Sequence, residues 1–278
     1  MRYIFLAVLC ICLVGCVQSG QDQSAVQLIE FDCGRLNYDS LEPLGFPDSE
    51  TDVRTLITPC YVIEHEKGTL LWDGGFESSL AELADWQEME GGWRIRLDEP
   101  FHSQLQEFGL SMADFNFVAF SHFHFDHVGV ANEVDGAQLL IQRLEYDDAF
   151  ADSVVIPGFI PSLYSRYDDS NTIILDGDYD VFGDGRVKLI STPGHTRGHQ
   201  SLFVDLPNTG PVILTGDLHI LRAGQQINWI PYFNADSAQT ASSFQKVEDL
   251  IDRYEAELWI AHDLERFDSL QSVSRRFN

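Results

Sequence analysis

A chain of 278 residues with 44% apolar content holds enough hydrophobic material for one large or two small folded domains, which excludes a disordered polypeptide. Its 44 acidic against 17 basic residues give a formal net charge of −27, a field that repels polyanions and argues against nucleic acid as substrate or partner.

Residues 1–15 stand apart from the rest. Arg2 precedes an apolar stretch from Tyr3 to Val14, too short to span a bilayer and patterned as an export signal. Leu13-Val14-Gly15-Cys16 resembles the lipobox of bacterial lipoproteins, in which the cysteine is lipidated and becomes the new N-terminus. That resemblance implies an exported lipoprotein, periplasmic or at the cell surface, anchored to a membrane through Cys16, with 16–25 as a polar tether. One domain is expected from 26 to 278. Of the five cysteines, only Cys33 and Cys60 then remain inside it, and they read equally as one disulfide or as two buried thiols.

Strands are expected at 26–32, 55–65 and 69–73, the last two joined at Lys67-Gly68, with Asp73 closing the hairpin in "WDGG". Helices are expected at 77–87 and 101–108, separated by an irregular insertion over 88–100 of the kind that lines a mouth. A buried strand at 116–121 feeds directly into "HFHFDHVG". Further strands follow at 171–176, 179–182, 187–191, 200–206 and 211–216. Ser237 is the expected cap of a helix running to Tyr254, and 257–263 is a last strand ending on His262. Strands dominate and helices punctuate them, so the fold class is α/β (α+β), with stacked sheets and helices outside.

His122 and His124 stand two apart at a strand terminus, where alternation aims both side chains the same way, toward a shared metal. Asp126 and His127 follow as the backbone turns and serve a second ion close by. Gly129 permits a turn or tight packing there. Three later strand ends offer one ligand each: His195 in "STPGHTRGHQS", Asp217 in "ILTGD" and His262 in "WIAHD".

HxHxDH, then TPGHT, TGD and a terminal-strand histidine resemble the metallo-β-lactamase-fold hydrolase superfamily over nearly the whole mature chain. The resemblance implies a four-layer αββα sandwich with a metal site at one edge. It assigns His122, His124 and His195 to one ion, Asp126, His127 and His262 to the other, and Asp217 as the bridge. Asp73 and His199 would orient ligands from behind. Seven nitrogen and oxygen donors without thiolate suit two zinc ions, with manganese, iron or cobalt as replacements. A hydroxide shared by the two ions would attack a carbonyl, and Asp126 would accept a proton and pass it on.

Among superfamily members, "HFHFDHVG", "GHTRGHQSL" and the 233–263 segment are most similar to the quorum-quenching N-acyl homoserine lactonases. Asp at 217 disfavours β-lactam hydrolysis, the charge disfavours the RNA of ribonuclease Z, and glyoxalase II carries a glutathione-binding region after its last histidine. The implied substrate is a small acyl lactone. Other small lactones, esters or β-lactams are the alternative, and a non-catalytic metal-binding lipoprotein is a third reading. One departure stands out. The lactonases place a tyrosine three residues after the bridging aspartate, to hold the lactone carbonyl, and this chain has Ile220. His219 or Tyr232 is the candidate replacement. Trp93, Phe159, Ile160, Leu163, Trp229, Ile230 and Phe233 are candidate walls for an acyl chain. His65 and His102 read as surface residues.

Overall fold

A computed structural model describes residues 26–270 and 275–278, so the expected signal, Cys16 and the tether lie outside the described residues. In chain order the strands of the first half are β1 (Gln27–Tyr38), β2 (Thr55–His65), β3 (Gly68–Trp72), β4 (Gln87–Met89) and β5 (Trp93–Arg96). Helix α1 (Phe101–Glu107), β6 (Phe117–Ala119), β7 (Gln138–Gln142), α2 (Arg143–Ala149) and β8 (Thr172–Leu175) follow. The second half comprises β9 (Tyr179–Asp180), β10 (Val187–Ser191), β11 (Gln200–Leu206), β12 (Gly210–Leu214), α3 (Arg222–Gln226) and α4 (Ser237–Tyr254). The last described elements are β13 (Glu257–Trp259), α5 (Leu264–Ser269) and β14 (Arg276–Phe277).

Two sheets result. The larger runs β4-β5-β1-β2-β3-β6-β7-β8, with β14 paired to β1, and the smaller runs β13-β12-β11-β10-β9. Alternation sends every second side chain of β1 to opposite faces. Leu28 joins Trp72, Leu202, Val204 and Trp259 in the core between the sheets. Ile29 and Phe31 instead pack outward with Phe101 and Leu105 of α1. On the far side, Phe203 and Ile213 meet Phe244 and Val247 of α4. The layers are therefore helix, sheet, sheet, helix, as the sequence pattern implied.

Cys33 and Cys60 form a disulfide across β1 and β2, closing a loop of sequence separation 27. Chain-entropy reasoning gives a loop of that length about 3–4 kcal/mol of stabilisation.

Five local expectations change. The helix at 77–87 shrinks to a 3₁₀ turn, Ser78–Glu82, because it buries none of its residues and has no side-chain cap. The insertion at 88–100 is instead a hairpin: β4 and β5 turn at Gly91-Gly92, both at positive φ, and β5 extends the sheet beside β1. Strand β7 and helix α2, both absent from the sequence reading, follow each other without a linker, so strand and helix periods blur into one apolar run. Asp236, one residue before the expected Ser237, caps α4 by accepting from the backbone N–H of Ala238 and Gln239 at 2.9 Å. His102 is exposed as expected, whereas His65 is buried, stacked on Phe182 and within 2.9 Å of Asp184.

Candidate metal centre

Strand β6 lies parallel to β3 and β7, so these three strands end at one edge of the larger sheet. Asp73 follows β3, His122 to His127 follow β6, and His195, Asp217 and His262 follow β10, β12 and β13. Their side chains converge. His122, His124, His195 and Asp217 form one group and Asp126, His127 and His262 a second, the ligand atoms of each group within 4.8 Å of one another.

In the first group three ring nitrogens face each other: His122 Nε2 and His124 Nδ1 at 2.8 Å, His195 Nε2 at 3.2 and 3.1 Å from them. Asp217 stands between the groups. Its Oδ2 is 3.4 Å from His195 Nε2 and 3.8 Å from His122 Nε2, while Oδ1 is 3.0 Å from His262 Nε2 and 3.3 Å from His127 Nε2. Asp126 Oδ2 closes the second group at 3.8 Å from His127 Nε2 and 3.9 Å from His262 Nε2.

Four of the five ligand imidazoles are aimed from behind. The Nδ1 of His127 faces Asp73 Oδ2 at 3.1 Å, that of His195 faces Asn234 Oδ1 at 3.0 Å, and that of His262 faces the Ile57 carbonyl at 2.6 Å. An acceptor on Nδ1 fixes the proton there and leaves the Nε2 lone pair directed at the centre. His122 Nδ1 meets the Ser121 hydroxyl at 3.0 Å. Asp73 also accepts from the backbone N–H of Ser121 at 2.6 Å and sits at φ 54, an unusual conformation for a non-glycine residue that its two partners hold in place. Gly129 is needed where the turn closes: a Cβ there would lie 2.1 Å from the Phe76 backbone.

The loops carrying the ligands are tied together by Glu145 of α2, 1% exposed. One carboxylate oxygen accepts from Phe123 N at 2.9 Å, and the other from Thr196 Oγ1 at 2.7 Å and Gly198 N at 3.0 Å. Burial pushes this carboxyl up to about 7, against those three hydrogen bonds. Sequence reasoning missed it, because a lone glutamate in an acidic chain carries no signal.

Burial, and then their histidine neighbours, drive His122 and His124 well below the ordinary imidazole range. Burial lowers His195 as well. These shifts favour the neutral ring, the form that binds a metal. Burial would also lower His127 and His262, but nearby carboxylates, Asp217 foremost, outweigh it and raise both. Asp217, which burial alone would raise, is held well below its usual range by His262 and His127. Among the described residues, His127 Nε2 and Asp217 Oδ1 are buried with no hydrogen-bond partner. Converging lone pairs, carboxylate charge and unpartnered buried acceptors fit divalent cations and little else.

Above the ligands opens a cavity of about 580 Å³. His124, Asp126, His195, Asp217 and His262 form its floor, and Leu36, Tyr38, Trp93, Phe125, Phe159 and Phe233 line its sides. Ile220 is also in the wall, as an apolar residue.

Several expected positions move. His219 lies outside this wall, stacked 4.3 Å from Phe244 of α4, where burial lowers it to about 4. The residue after the 3₁₀ turn Gly216–Leu218, His219, packs into the helix layer and is not among the residues of the cavity wall. Trp229 also lies outside, packed edge-on to Phe46 and donating to the Gly45 carbonyl at 3.2 Å. Tyr232 is 76% exposed and donates to Pro43 O. Ile160 is exposed, while Leu163 and Ile230 pack on the cores outside each sheet. His199 sits behind the ligands, its Nδ1 facing the Thr192 carbonyl at 3.0 Å and its ring centroid 5.4 Å from that of His122.

A strand-edge cluster of histidines and aspartates on an αββα sandwich defines a metal-dependent hydrolase. The chain belongs to the Metallo-beta-lactamase superfamily, which matches residues 53–253. It is 32% identical over 228 residues to N-acyl homoserine lactonase AttM of Azorhizobium caulinodans, covering 77% of this chain and 85% of that protein. An N-acyl homoserine lactonase of a Bacillus species is 30% identical over 213 residues, 74% of this chain and 81% of that protein. A solved N-acyl homoserine lactone hydrolase, with the product N-hexanoyl-L-homoserine at its catalytic metal centre, superposes with TM-score 0.73 at 25% identity, covering 88% of this chain and 96% of that one.

Proposed function

We propose that the protein opens the lactone ring of N-acyl homoserine lactones, using two divalent ions, zinc first among them. His122, His124 and His195 hold one ion, Asp126, His127 and His262 the other, and Asp217 joins both. The observation that carries this reading is Asp217, with one oxygen turned to each ligand group beneath an apolar cavity. When bound, such a pair of cations supplies an acidified water and polarises the carbonyl it faces.

The chain's own residues supply the rest. Leu36, Trp93, Phe125 and Phe159 give an acyl tail an apolar wall, which orients the lactone with its carbonyl toward the floor. Water adds to the acyl carbon, the ring C–O bond breaks, the ring oxygen gains a proton, and an N-acyl homoserine carboxylate leaves with release of one proton. Asp126 Oδ2, 12% exposed at its side chain and facing both His127 and His262, is the group placed to take a proton from water and return it to the ring oxygen.

Purified protein should contain two metal ions per chain and release acid from N-acyl homoserine lactones in a pH-stat. Two bound ions with no ring opening would reject the lactonase reading.

Export with a lipid anchor at Cys16 belongs to the same proposal. The buried Cys33–Cys60 disulfide supports an oxidising compartment. Metabolic labelling with a fatty acid should mark the wild type and leave Cys16→Ser unlabelled.

A further inference from the structure

The cavity that exposes the metal ligands is poor in free hydrogen-bond donors. Beyond the histidine and aspartate cluster its wall carries five polar side chains, and four are already engaged. Trp93 Nε1 donates to the Glu90 carbonyl at 2.8 Å, Thr196 Oγ1 to Glu145 at 2.7 Å, and one guanidinium nitrogen of Arg197, whose half-exposed side chain keeps further donors toward solvent, pairs with Asp148 at 2.6 Å. Tyr38 is the exception: its hydroxyl makes no hydrogen bond among the described residues.

Its placement is fixed by the backbone. Tyr38 ends β1, pairs in register with Trp93 of β5, and stacks on that indole at 6.0 Å with 16° between the planes. Leu36, two residues earlier and so on the same face of the strand, lines the same cavity. Leu36 and Ile220 belong to one apolar cluster, and Tyr38 packs against it. The phenol thus enters from β1 the region that Ile220 occupies from the opposite sheet. Asp126 and Asp217 are near enough for their charges, after burial, to push the phenol above its ordinary range. It is a neutral donor at any working pH.

We infer that Tyr38 is a catalytic residue whose hydroxyl donates a hydrogen bond to the substrate carbonyl oxygen as negative charge builds there during attack. The inference rests on the proposed hydrolytic function of this cavity, and gives it the oxyanion donor that the residue at position 220 does not supply. No proton is transferred: the phenol O–H stays intact and its dipole opposes the developing charge. A donor already aimed at that point needs no reorganisation as the charge forms, which is why it favours the transition state over the ground state.

The test compares wild type with Tyr38→Phe, which keeps the ring, its stacking on Trp93 and the cavity wall while removing one oxygen. Metal content and thermal midpoint serve as controls, and both should match wild type. Initial rates are measured on N-hexanoyl homoserine lactone and on an aryl acetate. With the donor removed, kcat should fall about 10²-fold on both substrates while KM changes little, the usual scale for losing one oxyanion donor. Unchanged kcat would overturn the assignment. So would a raised KM at constant kcat, since that marks a residue that only shapes the wall. Wild type that cleaves the aryl ester but opens no lactone would sink the lactonase reading, and the ester kcat would still decide Tyr38. Hydrolysis of neither substrate overturns both.

Discussion

The ligand edge and the mouth above it share several loops, yet they are held by different physics. At the edge, nearly every functional side chain has a buried polar partner that sets its direction: Asp73 for His127, Asn234 for His195, the Ile57 carbonyl for His262. At the mouth, Trp93 and Phe125 are placed largely by ring contact with each other, and Phe233, 40% exposed, meets the mouth only edge-on against the His195 ring. Hydrogen bonds in a dry environment fix angles, whereas apolar contact is non-directional and tolerates exchange of one side chain for another. The edge is therefore specified for one chemistry, and the mouth is free to set which acyl group is accepted.

Substitutions should separate the two regions. The largest effect is expected at the bridge: Asp217→Ala should abolish stable binding of both ions and lower kcat/KM by well over 10²-fold, since loss of a mere orienting partner already costs 10- to 100-fold. Metal analysis after gel filtration, with rates on short and long acyl lactones, checks this. An equal loss on both substrates marks an edge residue.

Next comes the tie between the loops. Glu145→Ala leaves three buried donors unpaired and should cost about 3 kcal/mol in urea unfolding, with weakened metal retention against a chelator. Glu145→Gln gives a pH signature. The folded-state value of about 7 lies above the ordinary 4.5, so between those values the folded chain keeps a proton that the unfolded chain has lost. This contribution to stability is full below about pH 4.5 and is lost as pH rises through about 7. Relative to Glu145→Gln, metal-free wild type should lose on the order of 3 kcal/mol between pH 4.5 and 8.

The mouth should respond more mildly and selectively. Trp93→Ala should raise KM for a decanoyl lactone by about 10-fold, the equivalent of some 50 Å² of lost apolar contact, and leave a butanoyl lactone nearly unchanged. A uniform effect on both lengths would erase the distinction between mouth and edge. The smallest effect belongs to His219→Asn. Stacked on Phe244 and outside the cavity wall, it should leave kcat and metal content at wild-type values, measured by the same assays.

How much of this was legible in advance follows the same divide. HxHxDH, TPGHT and TGD each place a ligand at a strand end, and a strand end is readable from a local run of apolar residues. Orientation around the site was less readable. His219 is adjacent to a ligand turn in sequence, yet its side chain joins the helix layer. The "EMEGGWRIRLDEP" segment looked irregular because two strands of three and four residues carry too few alternations to register as a period.

By itself, then, the sequence showed stacked sheets with helices outside, the histidine-rich strand end and the apolar character of the mouth through residue type and short-range spacing, while the family resemblance implied the set of seven candidate ligands. Only the tertiary structure decided the pairing of Cys33 with Cys60, the use of Glu145 to bind two ligand loops together, and the place of Tyr38 in the same cavity wall as Asp217. These depend on the register of strands and the packing of layers tens of residues apart, which is set by the burial of the whole core and leaves no trace in any local stretch of chain.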